Sequence, residues 1–220
     1  MCSQPSRWKH RAAVRSAGLV LCCVLVSVAA CSVTNKAASP ANTAPVVDAL
    51  LVGVEEVRHI ANYEELTVRS YADAHNPPPG NQNAPGTCRA AGISDLTFAG
   101  GWSEFRSVGY SGVTHDIDPG GLALVDSVSQ AVAIYPDWHA AHQALDQLES
   151  LLTSCVALHD PQYQFTIDHP DSSTLRITAP RWSHYYRVKK SALVSVGVVG
   201  IEPVERIVTD VLQIVTDRIN

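Results

Sequence analysis

Residues 125–155 read VDSVSQAVAIYPDWHAAHQALDQLESLLTSC, and the change of period inside them decides the fold class. Val125 to Tyr135 is a half-polar, half-apolar run with the length of a strand. Pro136 stops it, because proline cannot donate to a sheet ladder. Asp137 is a helix-capping residue type, and Trp138, Ala141, Leu145, Leu148, Leu152 and Cys155 follow three or four apart. The spacing predicts a helix of about five turns with Cys155 on its buried stripe.

Outward from this junction, strands dominate. On the amino-terminal side, Gly100-Gly101 marks a turn and Trp102–Tyr110 a strand, with Ser111–Gly121 as a hairpin loop. On the carboxy-terminal side, Tyr163, Phe165 and Ile167 alternate with polar residues, Thr174–Ala179 is a short strand, and Trp182–Val188 puts Trp182, His184, Tyr186 and Val188 on one face. Ala192–Ile201 is almost wholly apolar and reads as a central strand. A last helix starts near Pro203, with Val204, Ile207, Val208, Val211, Val215 and Ile219 as its apolar face. A short helix is expected over residues 54–62. The segment HNPPPGNQNAPGT at 75–87 excludes helix and central strand and reads as a mobile loop. No period of 20–50 residues recurs. The expected fold is α+β: a twisted antiparallel sheet in one domain, with two long amphipathic helices packed on one face.

The chain's beginning has a different character. A basic head with Arg7, Lys9, Arg11 and Arg15 and no acid precedes a short apolar run ending in Val28-Ala29-Ala30-Cys31. Basic head, apolar stretch and small residues are the parts of an export signal. The run from Ser16 to Ala30 is shorter than the roughly 20 residues a spanning helix needs. Val-Ala-Ala-Cys resembles the lipobox of bacterial lipoproteins. That resemblance implies a diacylglyceryl thioether on Cys31, cleavage before it and acylation of the new amino terminus. Residues 1–30 are then the signal, 31–49 a flexible tether containing SVTNKAASPANTAPVV, and 50–220 the domain. Removing the signal takes four bases and no acids, leaving 12 bases against 21 acids and a net charge of −9. So acidic a domain repels nucleic acid and anionic headgroups, so neither is an expected main partner. The expected partners are the membrane, through the lipid, and an envelope ligand or protein.

Of six cysteines, Cys2, Cys22 and Cys23 leave with the signal and Cys31 takes the lipid. Cys88 and Cys155 remain, and in an oxidising compartment they most simply pair. The alternative is two separate buried thiols.

Candidate chemistry is sparse. His139 and His142 lie i, i+3 beside Asp137, off the apolar stripe, without the further ligands zinc needs. His115, Asp116 and Asp118 lack the calcium-loop pattern. Gly109-Tyr110-Ser111-Gly112 approaches a nucleophile elbow, but position 113 is Val. No catalytic residue, cofactor or metal site is predicted; a hydrolase using Ser111 with a nearby His, and a structural surface lipoprotein, are the alternatives. Trp182, His184, Tyr186 and Arg187 form the densest recognition-type cluster, with the rings of that strand read more readily as core. Arg176, Arg181, Arg187, Lys189 and Lys190 concentrate positive charge, which meets an anionic envelope component or balances acids on neighbouring strands.

The order of elements resembles the PknH-like extracellular sensor domain, found on a mycobacterial receptor Ser/Thr kinase and on free-standing mycobacterial lipoproteins. The resemblance rests on Cys88, Gly101-Trp102-Ser103, the strand–Pro136–helix junction, Thr153-Ser154-Cys155, the apolar strand and the terminal helix. It covers roughly residues 50–220. It implies an extracytoplasmic α+β domain with a polar cleft for an unidentified ligand. Members commonly carry a second Cys pair, whose places are taken here by the neighbourhood of Ser183/His184 and by Val198/Val199.

Overall fold

The computed structural model describes residues 47–117 and 123–220. The signal, Cys31 and most of the tether lie outside them, as do Asp118 and the side chains of His115 and Asp116. Residues 47–50, at the expected end of the tether, already form a 3-10 turn with Val47 and Leu50 buried.

Seven strands form one antiparallel sheet. β1 (Thr67–Val68) is a two-residue edge on β2 (Glu104–Ile117), which forms a long hairpin with β3 (Ala123–Ile134). β4 (Thr166–Asp171), β5 (Thr174–Ala179), β6 (Trp182–Lys189) and β7 (Ala192–Val199) form a meander. The order is β1-β2-β3-β7-β6-β5-β4, so the β3–β7 pairing joins hairpin to meander. Helix α1 (Val54–Ala61) precedes β1, and the single turn α2 (Asp95–Phe98) precedes β2. α3 (Trp138–Val156) links β3 to β4, and α4 (Val204–Asp217) follows β7.

The α+β class and the antiparallel sheet are as the sequence predicts, but the two long helices lie on opposite faces rather than one. Val128, Val132, Val194, Val196 and Val198 pack with Ile207, Val208 and Val211 of α4. Their sequence neighbours Ala131, Ala133 and Leu193 pack with Leu145, Leu148 and Leu152 of α3. Side chains alternate across a strand, so these sets point in opposite directions. The physical reason is visible in β7: seven of its eight residues are buried, as a strand covered on both faces requires. Its continuous apolar run was the mark of two-sided cover.

Two further differences are local. β2 continues to Ile117, so the expected loop from Ser111 is mostly strand; Val113 still pairs with Val125, and the register shifts before Ile117 meets Ala123. Trp138 is not on the buried stripe of α3. It is 58% exposed and packs at a tilt against the His142 ring, with centroids 4.3 Å apart. The buried stripe begins at Ala141, one turn after the cap in which Asp137 Oδ1 accepts from Ala140 N at 2.9 Å. Cys155, on that stripe, is bonded to Cys88 across a sequence separation of 67, with the Cα atoms 4.7 Å apart. The bond ties α3 to the 3-10 turn Gly86–Ala90 that follows the Pro-rich segment.

Candidate functional site

The α3-facing surface of the sheet is covered over only part of its length. Level with Ala131 and beyond it, the residues on this face become Ser107, Gly109 and Ser111 on β2, Ser129 and Ser127 on β3, and Ser195 and Gly197 on β7. Val113 and Val125 at the far end are 70% and 56% exposed. Over this stretch lies a cleft of about 290 Å³, with Ser107 and Ser129 in its floor and Arg69, Tyr71, Pro78, Pro79 and Ile93 in its walls.

One wall is seated by a glycine. Arg69 N donates to Gly109 O at 2.8 Å, and a Cβ on Gly109 would lie 2.8 Å from Ala72 Cβ and 3.8 Å from Arg69 Cδ. Any side chain at Gly109 would therefore lift residues 69–72 off the sheet. Ser107 Oγ fastens the same segment by donating to Ala72 O at 2.9 Å. The other wall is the Pro-rich segment, read from sequence as a mobile loop. Here Asp95 N donates to Pro78 O at 2.8 Å and Gly80 N to Asp95 Oδ1 at 3.1 Å, so α2 holds it in place. Arg69 is partly buried, and desolvation draws its pKa below the usual guanidinium value. Its Cζ lies 4.5 Å from the ring centroid of Tyr71, which is 72% exposed. Sequence reasoning missed Arg69 and Tyr71. The available signal was Gly109 inside a strand, which marks a close approach by other chain.

The four residues read as a recognition cluster are placed apart from this cleft. Trp182, His184 and Tyr186 share the α3 face. Trp182 packs edge-on against Phe165 at 5.7 Å, and His184 stacks on Tyr186 at 4.5 Å. Tyr186 Oη accepts from Gly92 N at 2.9 Å and is fully buried. His184 is held to Ser195 Oγ at 2.7 Å, over Gly197, where a Cβ would overlap the imidazole. Burial pushes the His184 pKa down to about 3, so the ring is neutral at physiological pH. Arg187 is on the opposite face, donating to Thr174 Oγ1 at 2.7 Å and to Asp171 at 3.1 Å. Arg176 forks onto Asp168 at 2.8 and 2.6 Å. These arginines balance acids on neighbouring strands.

Ser111 lies within β2, paired with Ser127 and Thr67. A nucleophile elbow sits instead on a strand-to-helix turn. Among the described residues no cluster of three His, Cys, Asp or Glu is arranged to hold a metal, and no helix is long and apolar enough to cross a membrane.

The family model for the PknH-like extracellular domain matches residues 42–218. The chain belongs to that family. The crystal structure of the extracellular domain of PknH from Mycobacterium tuberculosis shares the fold of this PknH-like domain, with a TM-score of 0.59 at 15% identity over 79% of this chain and 94% of that one. No curated protein matches the chain. In the sheet of this PknH-like domain, Ser183 is the register partner of Val198. Ser183 Oγ is buried there without a hydrogen-bond partner among the described residues.

Proposed function

We propose that this chain is a lipid-anchored, non-catalytic domain that binds a ligand at the extracytoplasmic face of the cell membrane. The observation that carries the binding role is the cleft over Ser107 and Ser129, at the low end of the volumes that hold small ligands. Family membership supports the extracellular setting. The Val-Ala-Ala-Cys31 sequence after a basic head and apolar run supports the anchor. Two or more acyl chains make such an anchor stable.

The binding role is tested on protein purified from its native envelope, by mass spectrometry of small molecules that copurify. Ser129→Trp fills the cleft from its floor and is expected to lose a species that wild type retains. Identical profiles for the two proteins sink the reading and favour a surface protein without small ligand. The anchor is tested by detergent-phase partitioning: wild type enters the detergent phase, whereas Cys31→Ala protein remains unprocessed. A processed, detergent-phase Cys31→Ala species overturns it.

A further inference from the structure

Among the described residues, Arg69 differs from the other arginines. Each of the eight others lies within 4.0 Å of a carboxylate oxygen. Arg69 has no such partner there, and its guanidinium contact is the Tyr71 ring. The chain is acidic overall, with 21 acids against 16 bases, so an unmatched cation is not for want of carboxylates. A guanidinium partly removed from water loses hydration that only a hydrogen-bonding anion restores well. Arg69 meets that condition inside the cleft, where the walls Tyr71, Pro78, Pro79 and Ile93 are apolar or aromatic. Ser129 Oγ, whose contact with Gly197 O is a long 3.5 Å, is a hydroxyl able to turn toward a ligand.

We propose that Arg69 anchors the oxyanion of a small organic ligand, a carboxylate or phosphate monoester whose compact apolar body lies against Tyr71 and Pro78-Pro79. The guanidinium fork suits two oxygens of such a group. The cleft's volume of about 290 Å³ suits a single small molecule rather than a long polymer. The inference rests on the reading of this cleft as a ligand site and adds the ligand's chemistry.

The test uses the full chain in neutral detergent, titrated calorimetrically with phenyl phosphate, phenylacetate, phenol and inorganic phosphate. Phenyl phosphate or phenylacetate is expected to bind wild type, and the stronger of the two identifies the oxyanion. Arg69→Gln should weaken that binding by roughly 10- to 100-fold, the range for a lost charged hydrogen bond. Arg69→Lys should recover part of it. Arg69→Gln should keep the wild-type melting temperature to within a degree or two, because the guanidinium's described contact is with the ring of Tyr71, which is itself exposed. Failure of both organic anions to bind at millimolar concentration, or unchanged binding in Arg69→Gln, overturns the proposal. So does phenol binding as tightly as phenyl phosphate. Inorganic phosphate binding equally well overturns the apolar body. If Ser129→Trp strips a native copurifying species that Arg69→Gln retains, the cleft stands as a ligand site and the anionic assignment falls.

Discussion

On the α4 side, the sheet presents Val128, Val132, Val194, Val196 and Val198 to an unbroken apolar helix face. On the α3 side, Ala131, Ala133 and Leu193 lie under the helix, and Ser127, Ser129 and Gly197 continue the same strands beyond it. Side-chain size and polarity thus follow cover. Branched apolar residues stand where a helix removes water, and hydroxyls and glycines stand where the helix ends. Burial of apolar area stabilises the covered parts, while Ser129, in the floor of the cleft, is only partly buried. Each measurement below sets one of these regions against the other.

The largest effect belongs to the staple over the covered half. Replacing Cys88 and Cys155 by Ser together removes a crosslink spanning 67 positions, with an expected loss of about 4 kcal/mol in urea unfolding. A loss near zero would mean that α3 holds its half of the sheet without the crosslink.

Next is acid sensitivity, from His184, buried over Gly197 on the α3-facing side of the sheet. An unfolded histidine titrates near 6.5, while burial holds the folded one down to about 3. The unfolded chain therefore binds the proton first. Stability is intact above pH 6.5 and is lost as pH falls toward 3, by about 1.4 kcal/mol per unit. At pH 4 the loss is roughly 3 kcal/mol. His184→Gln should lower stability at neutral pH but abolish this slope between pH 6.5 and 4. Equal slopes in the two proteins would break the assignment.

The α4 side has its own fastening. Gln130 is fully buried and grips Val52 at both ends, Oε1 accepting from Val52 N at 2.8 Å and Nε2 donating to Val52 O at 2.7 Å. Tyr110 Oη donates to the same carbonyl at 2.7 Å. Gln130→Leu orphans the Val52 amide in an apolar layer and should cost about 2 kcal/mol. Hydrogen exchange at Val52 should accelerate with it. Exchange unchanged at Val52 would show that the segment is held by its apolar contacts alone.

The legibility of these regions in the sequence was unequal. Helical spacing placed α3 and α4, a short strand run placed β5, one-faced alternation placed β6, and cysteine bookkeeping left Cys88 and Cys155 as the pair the structure joins. What periodicity could not give was cover. The aromatic run Trp182–Tyr186 has the composition of a binding strand, yet a two-residue period says only that faces differ, and α3 lies over the ring-bearing one. Strand β7 did carry a readable sign of helices on both sides. The cleft carried a fainter one, because its walls come from an irregular segment whose position depends on Gly109, Ser107 and Asp95. Residues that meet through such long-range seats leave no period to detect.

The smallest effect is also the sharpest comparison, because it uses one strand and one face. Ala131 and Ser129 are two residues apart on β3, and both point toward the α3 side. Ala131 is fully buried, so Ala131→Leu forces extra volume into a closed layer and should cost about 1–2 kcal/mol. Ser129 borders the cleft, so Ser129→Leu should change stability by no more than about 0.5 kcal/mol. The only described hydrogen bond of its hydroxyl is the long contact with Gly197 O, and its new side chain has space to enter. Comparable losses for the two variants would mean that the cleft floor is packed like the covered half. A loss confined to Ala131→Leu would place the boundary between core and cleft between two adjacent inward positions of a single strand.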